Sequence, residues 1–287
     1  VTLPVPVIVV GNLSVGGNGK TPLVVALCEK LQRAGYKVGV VSRGYGAKTT
    51  EFPHQVSAND SAPMVGDEPL LIARRTGVPV VIDPNRPRAA QQLVEQGCTV
   101  IISDDGLQHY ALGRDVECVV ADRRLFGNQQ LLPMGPLREG LWRLKTIDFL
   151  ILNQSGEALE LPNISNMPTP FQMSLQPGKL INVLHPQLQR DLVELEQESH
   201  ITAMAGIGDP SRFFNQLKEM GVRLDHCVAL ADHHAIGKHD IPDGCVIMTE
   251  KDAVKAVAHA HDNCWYQPVD AVLAEDFYTQ LIQRIAR

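Results

Sequence analysis

Residues 9–23 read V-V-G-N-L-S-V-G-G-N-G-K-T-P-L, a segment whose residue types could hold a polyphosphate. Gly16, Gly17 and Gly19, with Asn18 among them, let successive backbone N–H groups turn inward around phosphate oxygens. A helix starting just after them would add the partial positive charge of its N-terminus. Lys20 offers a cation for the β and γ phosphates, and Thr21 a hydroxyl ligand for Mg²⁺. Pro22 suits a first helical turn, where its missing N–H is no loss. One position departs from the usual P-loop: Ser14 stands where the first glycine is expected, five residues before Gly19. The plainer alternative is an ordinary glycine-rich turn between a strand and a helix.

Other clusters could supply the rest of a phosphoryl-transfer site. T-V-I-I-S-D-D-G-L-Q-H, residues 99–109, is an apolar run ending in two carboxylates. P-loop proteins place such a carboxylate near the loop to reach Mg²⁺. Asp104 and Asp105 are the candidates, with Gln108 and His109 nearby, although Asp-Asp-Gly can also serve local turn hydrogen bonds. In V-S-R-G-Y-G the flanking glycines leave Arg43 free to swing toward an anion. G-D-E-P puts Asp67 and Glu68 at a helix start, where the helix dipole alone favours negative charge. A-D-H-H places His233 and His234 after a strand. Adjacent histidines point different ways and no matching Cys or His spacing follows, so a carboxylate oriented by a histidine, suited to proton removal from a hydroxyl, reads better than zinc. L-R-E-G-L-W-R-L-K, residues 137–145, fits either a membrane interface or an amphipathic core helix. The role of Thr249, Glu250, Lys251 and Asp252 is open, adenosine contact being one candidate.

Positioning these residues requires a frame. Apolar runs at 5–10, 37–42, 78–82, 99–103, 116–121 and 147–152 alternate with helical stretches at 20–34, 67–76 and 86–96. Runs without polar alternation suit strands buried on both faces, so the expected fold is α/β: a P-loop-containing, doubly wound, mostly parallel sheet flanked by helices. Residues 153–177 turn rich in Asn, Ser and Pro and read as a linker, after which the α/β rhythm restarts. The expected division is a nucleotide- and lipid-binding domain over 1–170 and a smaller α/β domain over 171–287, joined by short β linker strands near 171–184 and 264–273.

Composition bounds the function. The 287 residues are 44% apolar and 20% charged, ordinary for a globular chain of one or two domains. A formal net charge of −6 argues against general nucleic-acid affinity, which depends on Lys and Arg neutralising phosphates. Six widely spaced cysteines without a C-x-x-C pair read as reduced, buried thiols. The opening run V-T-L-P-V-P-V-I-V-V is too short for a bilayer, which needs about 20 residues. It reads as a buried strand, and an upstream segment is expected before Val1.

Taken in order, G-N-L-S-V-G-G-N-G-K-T-P, S-R-G-Y-G, G-D-E-P, D-D-G-L-Q-H, A-D-R-R-L-F-G-N-Q-Q-L-L-P-M-G-P-L-R-E, A-D-H-H and T-E-K-D-A-V-K resemble one family, the tetraacyldisaccharide 4′-kinases of lipid A biosynthesis. They span roughly residues 5–256. The resemblance implies phosphorylation of the 4′-hydroxyl of a tetraacylated glucosamine disaccharide 1-phosphate, giving lipid IVA, with ATP and Mg²⁺. It implies Asp67 as general base supported by His233, phosphate contact by Lys20 with Gly16, Gly17, Asn18, Gly19 and Arg43, and a metal region of Thr21, Asp104, Asp105 and Gln108. It further implies an amino-terminal membrane-associated helix, a place at the cytoplasmic face of the bacterial inner membrane, a lipid substrate and a monomer.

A rival from another class is a nucleotide-driven switch of the partitioning or metal-delivery type. Those proteins carry a lysine just before the glycine pair, where this chain has Val15. A small-molecule kinase or ligase on the same fold is the third reading, and lipid-dependent ADP release separates it from the first.

Overall fold

A computed structural model describes residues 1–154 and 160–286, so part of the expected linker, residues 155–159, lies outside the described residues. The first half alternates strands and helices: β1 (Val7–Gly11), α1 (Lys20–Arg33), β2 (Val38–Ser42), β3 (His54–Val56), α2 (Ala62–Val65), α3 (Asp67–Thr76), β4 (Val80–Ile82), α4 (Arg86–Glu95), β5 (Val100–Asp104), β6 (Val116–Asp122) and β7 (Phe149–Asn153). There follow β8 (Phe171–Pro177), β9 (Leu180–Asn182), β10 (Gln189–Arg190), β11 (Ile201–Ala205), α5 (Pro210–Glu219), β12 (His226–Ala229), β13 (Cys245–Thr249), α6 (Glu250–Ala256), β14 (Cys264–Gln267), β15 (Val269–Leu273) and α7 (Glu275–Ile285).

Nine strands form the larger sheet in the order β15-β8-β7-β6-β1-β5-β2-β4-β3. All neighbours pair in parallel except the two edge strands, β3 and β15. Strands β1, β2, β5, β6 and β7 are buried along their whole length, as their unbroken apolar runs require for a sheet covered on both faces. One face packs against α1, α3 and α7, with Leu23, Leu27, Leu70, Ile72 and Phe277 in the core. The other takes Ala89, Ala90 and Leu93 of α4 together with Leu137 and Leu144. This is the expected doubly wound α/β sheet. Strand order reverses about β1, which places the carboxyl ends of β1 and its neighbours at a ligand-binding crevice.

The smaller sheet runs β10-β9-β14-β13-β11-β12, with a parallel core of β14, β13, β11 and β12. The expected boundary at 171 divides the chain differently from the sheets. Strands β8 and β15 pair with each other at the edge of the larger sheet, and α7 covers it. The reason is an aromatic cluster: Phe149 of β7, Phe171 of β8 and Phe277 of α7 have ring centroids 5.3–5.9 Å apart. The chain crosses between sheets at Gly178–Lys179 and again at Pro268. We place the division at these crossings, making 180–267 an insertion into the larger unit. Residues 137–145 do not form a full amphipathic helix; only Leu141–Lys145 are helical, as a short 3₁₀ segment.

Candidate active site

Strand ends and helix starts from both sheets meet at one cleft of about 1140 Å³. Gly16, Gly17, Asn18, Gly19, Lys20 and Thr21 line it, as do Arg43, Asp67, Asp104, Asp105, Gln108 and His233. The residues read from the sequence as base, phosphate and metal contacts are therefore brought together, whereas His234 and Asp252 fall outside the lining.

The phosphate cradle follows β1 and leads into α1. Gly16 and Gly19 hold φ of 108° and 93°, in the left-handed region that side chains rarely adopt. A Cβ on Gly19 would also collide with the Asn153 amide at the end of β7. Ser14 occupies no such position. It pairs with Leu137 in an isolated antiparallel bridge, and its Oγ accepts a hydrogen bond from Asn18 Nδ2 at 3.2 Å. Asn18 is tied further by Arg124 Nη2 donating to its Oδ1 at 2.8 Å and by Asn153 Nδ2 donating to its carbonyl at 3.0 Å. Val15 N–H donates to Pro136 O and Arg138 N–H to Leu13 O. The loop is thus fixed along its entry by the 124–138 segment, and a serine there adds an anchor where glycine would give none.

At the end of β5 the two aspartates differ. Asp104 is 1% exposed, its Oδ1 has no hydrogen-bond partner among the described residues, and Ser42 Oγ lies 3.5 Å from its Oδ2. Burial, then the charges of Glu68 and Asp105, push its carboxyl up to about 7 against the pull of Lys20 and Arg86. Asp105 has left-handed backbone, φ 47°, and faces Arg138, whose Nη1 donates to both its oxygens at 2.9 Å; Lys20 Nζ lies 3.6 Å away. Burial opposes ionisation of Asp105, but Lys20, Arg138 and Arg86 outweigh it and hold the carboxyl below its usual range. Gln108 turns its amide N–H groups to Asn12 O and Glu139 Oε2, at 3.2 and 3.1 Å. Arg86, 3% exposed, braces the turn by donating to Ser103 Oγ at 2.7 Å and to Asp105 O at 2.9 Å.

Beside α1, on the same face of the larger sheet, α3 begins at Asp67. One carboxylate oxygen accepts the Glu68 N–H at 2.9 Å, the local helix-start role expected of it. The other lies 3.1 Å from His233 Nδ1, 166 residues away on the turn after β12. Asp67 is 6% exposed whereas His233 is an exposed residue, so the carboxylate is withdrawn from water and the imidazole meets it from the open side. His233 has φ 59° and packs at a 58° tilt against Tyr45, with centroids 5.2 Å apart. His234 points elsewhere, to Asp240 Oδ2 at 3.1 Å. A buried carboxylate held against an imidazole at the edge of a phosphate cradle can accept a hydroxyl proton.

Sequence reasoning did not single out Arg138, Arg86, Tyr45 or Gly208. Arg138 and Tyr45 stood inside quoted motifs, whereas Arg86 follows an Asp-Pro-Asn turn with no chemical signature. Gly208, from the smaller sheet, comes so near the cradle that a Cβ on it would lie 3.6 Å from Gly17 N.

The sequence model of the family described as Tetraacyldisaccharide-1-P 4'-kinase matches residues 1–286. The chain belongs to this family. Among curated relatives named tetraacyldisaccharide 4'-kinase, that of Pseudoalteromonas atlantica is 50% identical over 291 residues, covering 99% of this chain and 90% of the relative. The Photobacterium profundum relative is 52% identical, covering 99% of this chain and 80% of its own. A crystal structure of LpxK from Aquifex aeolicus, in complex with ATP, is 31% identical with a TM-score of 0.84, covering 99% of this chain and 90% of that one. The family match extends through the smaller sheet, and with it the switch reading is not favoured.

Proposed function

We propose that this chain transfers the γ-phosphate of ATP to the 4′-hydroxyl of a tetraacyldisaccharide 1-phosphate, giving lipid IVA. Family membership supports the reaction class and the lipid A precursor. The observation that carries the site assignment is the convergence of all the ordered motifs on one cleft, whose lining holds both the Asp67–His233 pair at 3.1 Å and the Asp105–Lys20 pair at 3.6 Å.

The loop amides of residues 16–20 and the Lys20 ammonium hold the phosphates and neutralise charge that builds on the γ-phosphoryl group. Arg43, on the cleft wall after β2, adds a cation for the same anion. Asp67 takes the proton of the sugar hydroxyl as its oxygen bonds to phosphorus and the bond to ADP breaks. His233 holds the carboxylate oriented and shares the hydrogen bond. The hard oxygen donors here fit Mg²⁺: the unpartnered, buried Asp104 Oδ1 and the Thr21 hydroxyl would hold it, with Asp105 and Gln108 beside them. When bound, the ion supplies charge neutralisation across the β and γ phosphates. Asp105, already engaged by Arg138 and Lys20, acts as the charge that aligns those two cations.

The site belongs at the cytoplasmic face of the inner membrane, where such a lipid is presented. No helix among the described residues is long and apolar enough to cross a membrane. Leu131, Leu132, Met134 and Trp142 are all more than half exposed and Leu132 lines the cleft, which suits an acylated substrate. The test is incubation with γ-labelled ATP and the disaccharide 1-phosphate lipid, following label into lipid. Label in the 4′-phosphorylated product is expected; ATP binding without transfer would refute the assignment.

A further inference from the structure

T-E-K-D-A-V-K carries another cation to the cleft. Thr249 ends β13 and caps α6, its Oγ1 accepting the Asp252 N–H at 3.2 Å, so Glu250 and Lys251 fall in the first helical turn. A lysine there works against the helix dipole. Its surroundings explain its presence: Lys251 Nζ lies 3.2 Å from Glu68 Oε1, 3.2 Å from Asp232 Oδ1 and 3.7 Å from Asp67 Oδ2. Burial opposes its charge most, yet Glu68, Asp67 and Asp232 outweigh burial and raise it above the usual lysine range. The ammonium stays charged at any working pH.

These contacts span the two units. Asp67 and Glu68 start α3 beside the larger sheet, while Asp232, His233 and Lys251 follow strands of the smaller one. The neighbouring charges are spoken for: Arg75 bonds Glu250 at 2.8 Å and also Asp270, and Lys255 pairs with Asp252 at 2.7 Å. Without Lys251, Asp67, Glu68 and Asp232 would face one another uncompensated, and like charges at such range repel. The Asp67–His233 contact is exposed to that repulsion because its partners come from different units and His233 holds a left-handed backbone, uncommon outside glycine.

We propose that Lys251 is a positioning residue for the Asp67–His233 pair, its ammonium bridging Glu68, Asp67 and Asp232 so that the carboxylate meets the imidazole across the junction of the two units. This rests on the reading of Asp67 as general base. Its closest approach to the proposed reacting groups is the 3.7 Å contact with Asp67 Oδ2, so it acts through Asp67.

A double-mutant cycle tests it. Wild type, Lys251→Met, Asp67→Asn and the double variant are assayed for kcat and for the KM of ATP, with a thermal melt on each. Lys251→Met should lower kcat by about tenfold to a hundredfold, in the range for partners that orient a reacting group, with the KM of ATP unchanged. Lys251→Arg keeps the charge and should recover most of the loss. In the Asp67→Asn background the same lysine change should cost no further kcat, because residues acting as one unit are not additive. An equal loss in both backgrounds overturns the proposal, as does an arginine variant no better than methionine, or an effect confined to the KM of ATP. If Asp67→Asn alone retains activity, the base assignment itself has failed, an outcome the cycle separates from the others. Should Lys251→Met not fold, Lys251→Gln takes its place in the cycle.

Discussion

The cleft has two walls built in different ways. The phosphate cradle is local: Gly16 to Thr21 are contiguous, their φ angles are set by glycine, and the donors are mostly backbone. The wall we propose to accept the proton is long-range: Asp67 and His233 are separated by 166 residues, sit on different units and meet through side chains alone. The loop takes its shape from glycine and its braces, Arg124 and Asn153, from the same larger unit, so it does not depend on how the two units are seated. A long-range pair exists only while the two units are correctly seated, so it can be lost with nucleotide binding intact. That contrast is what substitutions should expose.

The largest effect is expected on the cradle. Lys20→Ala removes the loop's side-chain cation and leaves Asp105 to Arg138 alone, so turnover should fall by about 10³-fold or more, with weaker ATP binding, both measurable by steady-state kinetics and nucleotide titration. On the other wall, His233→Ala should lower kcat by roughly tenfold and spare the KM of ATP, since Asp67 keeps its carboxylate but loses the partner that orients it. A matching rise in the KM of ATP would erase the distinction between the walls. Ser14→Gly, which restores the usual P-loop spelling, should have the smallest effect. It removes one hydrogen bond to Asn18 and costs about 1 kcal/mol in chemical denaturation, with kcat nearly unchanged.

The same contrast governs how much could be read from sequence. The six main strands and three helices of the first half were legible because each is an unbroken apolar run or a periodic segment, and all fall within two residues of their expected ends. β3 and α2, three and four residues long, are too short to carry a period. The cradle and the Asp104–Asp105 turn were legible because chemistry and spacing lie in one stretch of chain. Asp67 and His233 were separately visible as polar residues at element ends, but only the family resemblance joined them. Nothing local marks Arg86 or assigns Lys251, since each takes its meaning from carboxylates or hydroxyls supplied by other elements. The expected division near 171 does not follow the sheets because β8 and β15 look like linker strands in isolation, whereas they pair at the edge of the larger sheet, where Phe149 and Phe277 pack.

The most direct test compares wild type with Asp67→Ala, measuring ATP binding and the transfer of γ-label to the lipid acceptor in the same preparations. The variant should bind ATP as wild type does and transfer label on the order of 10²- to 10⁴-fold more slowly. Transfer near the wild-type rate would remove Asp67 as the base. Parallel loss of ATP binding and transfer would make it a structural residue of the cradle rather than the acceptor of the hydroxyl proton.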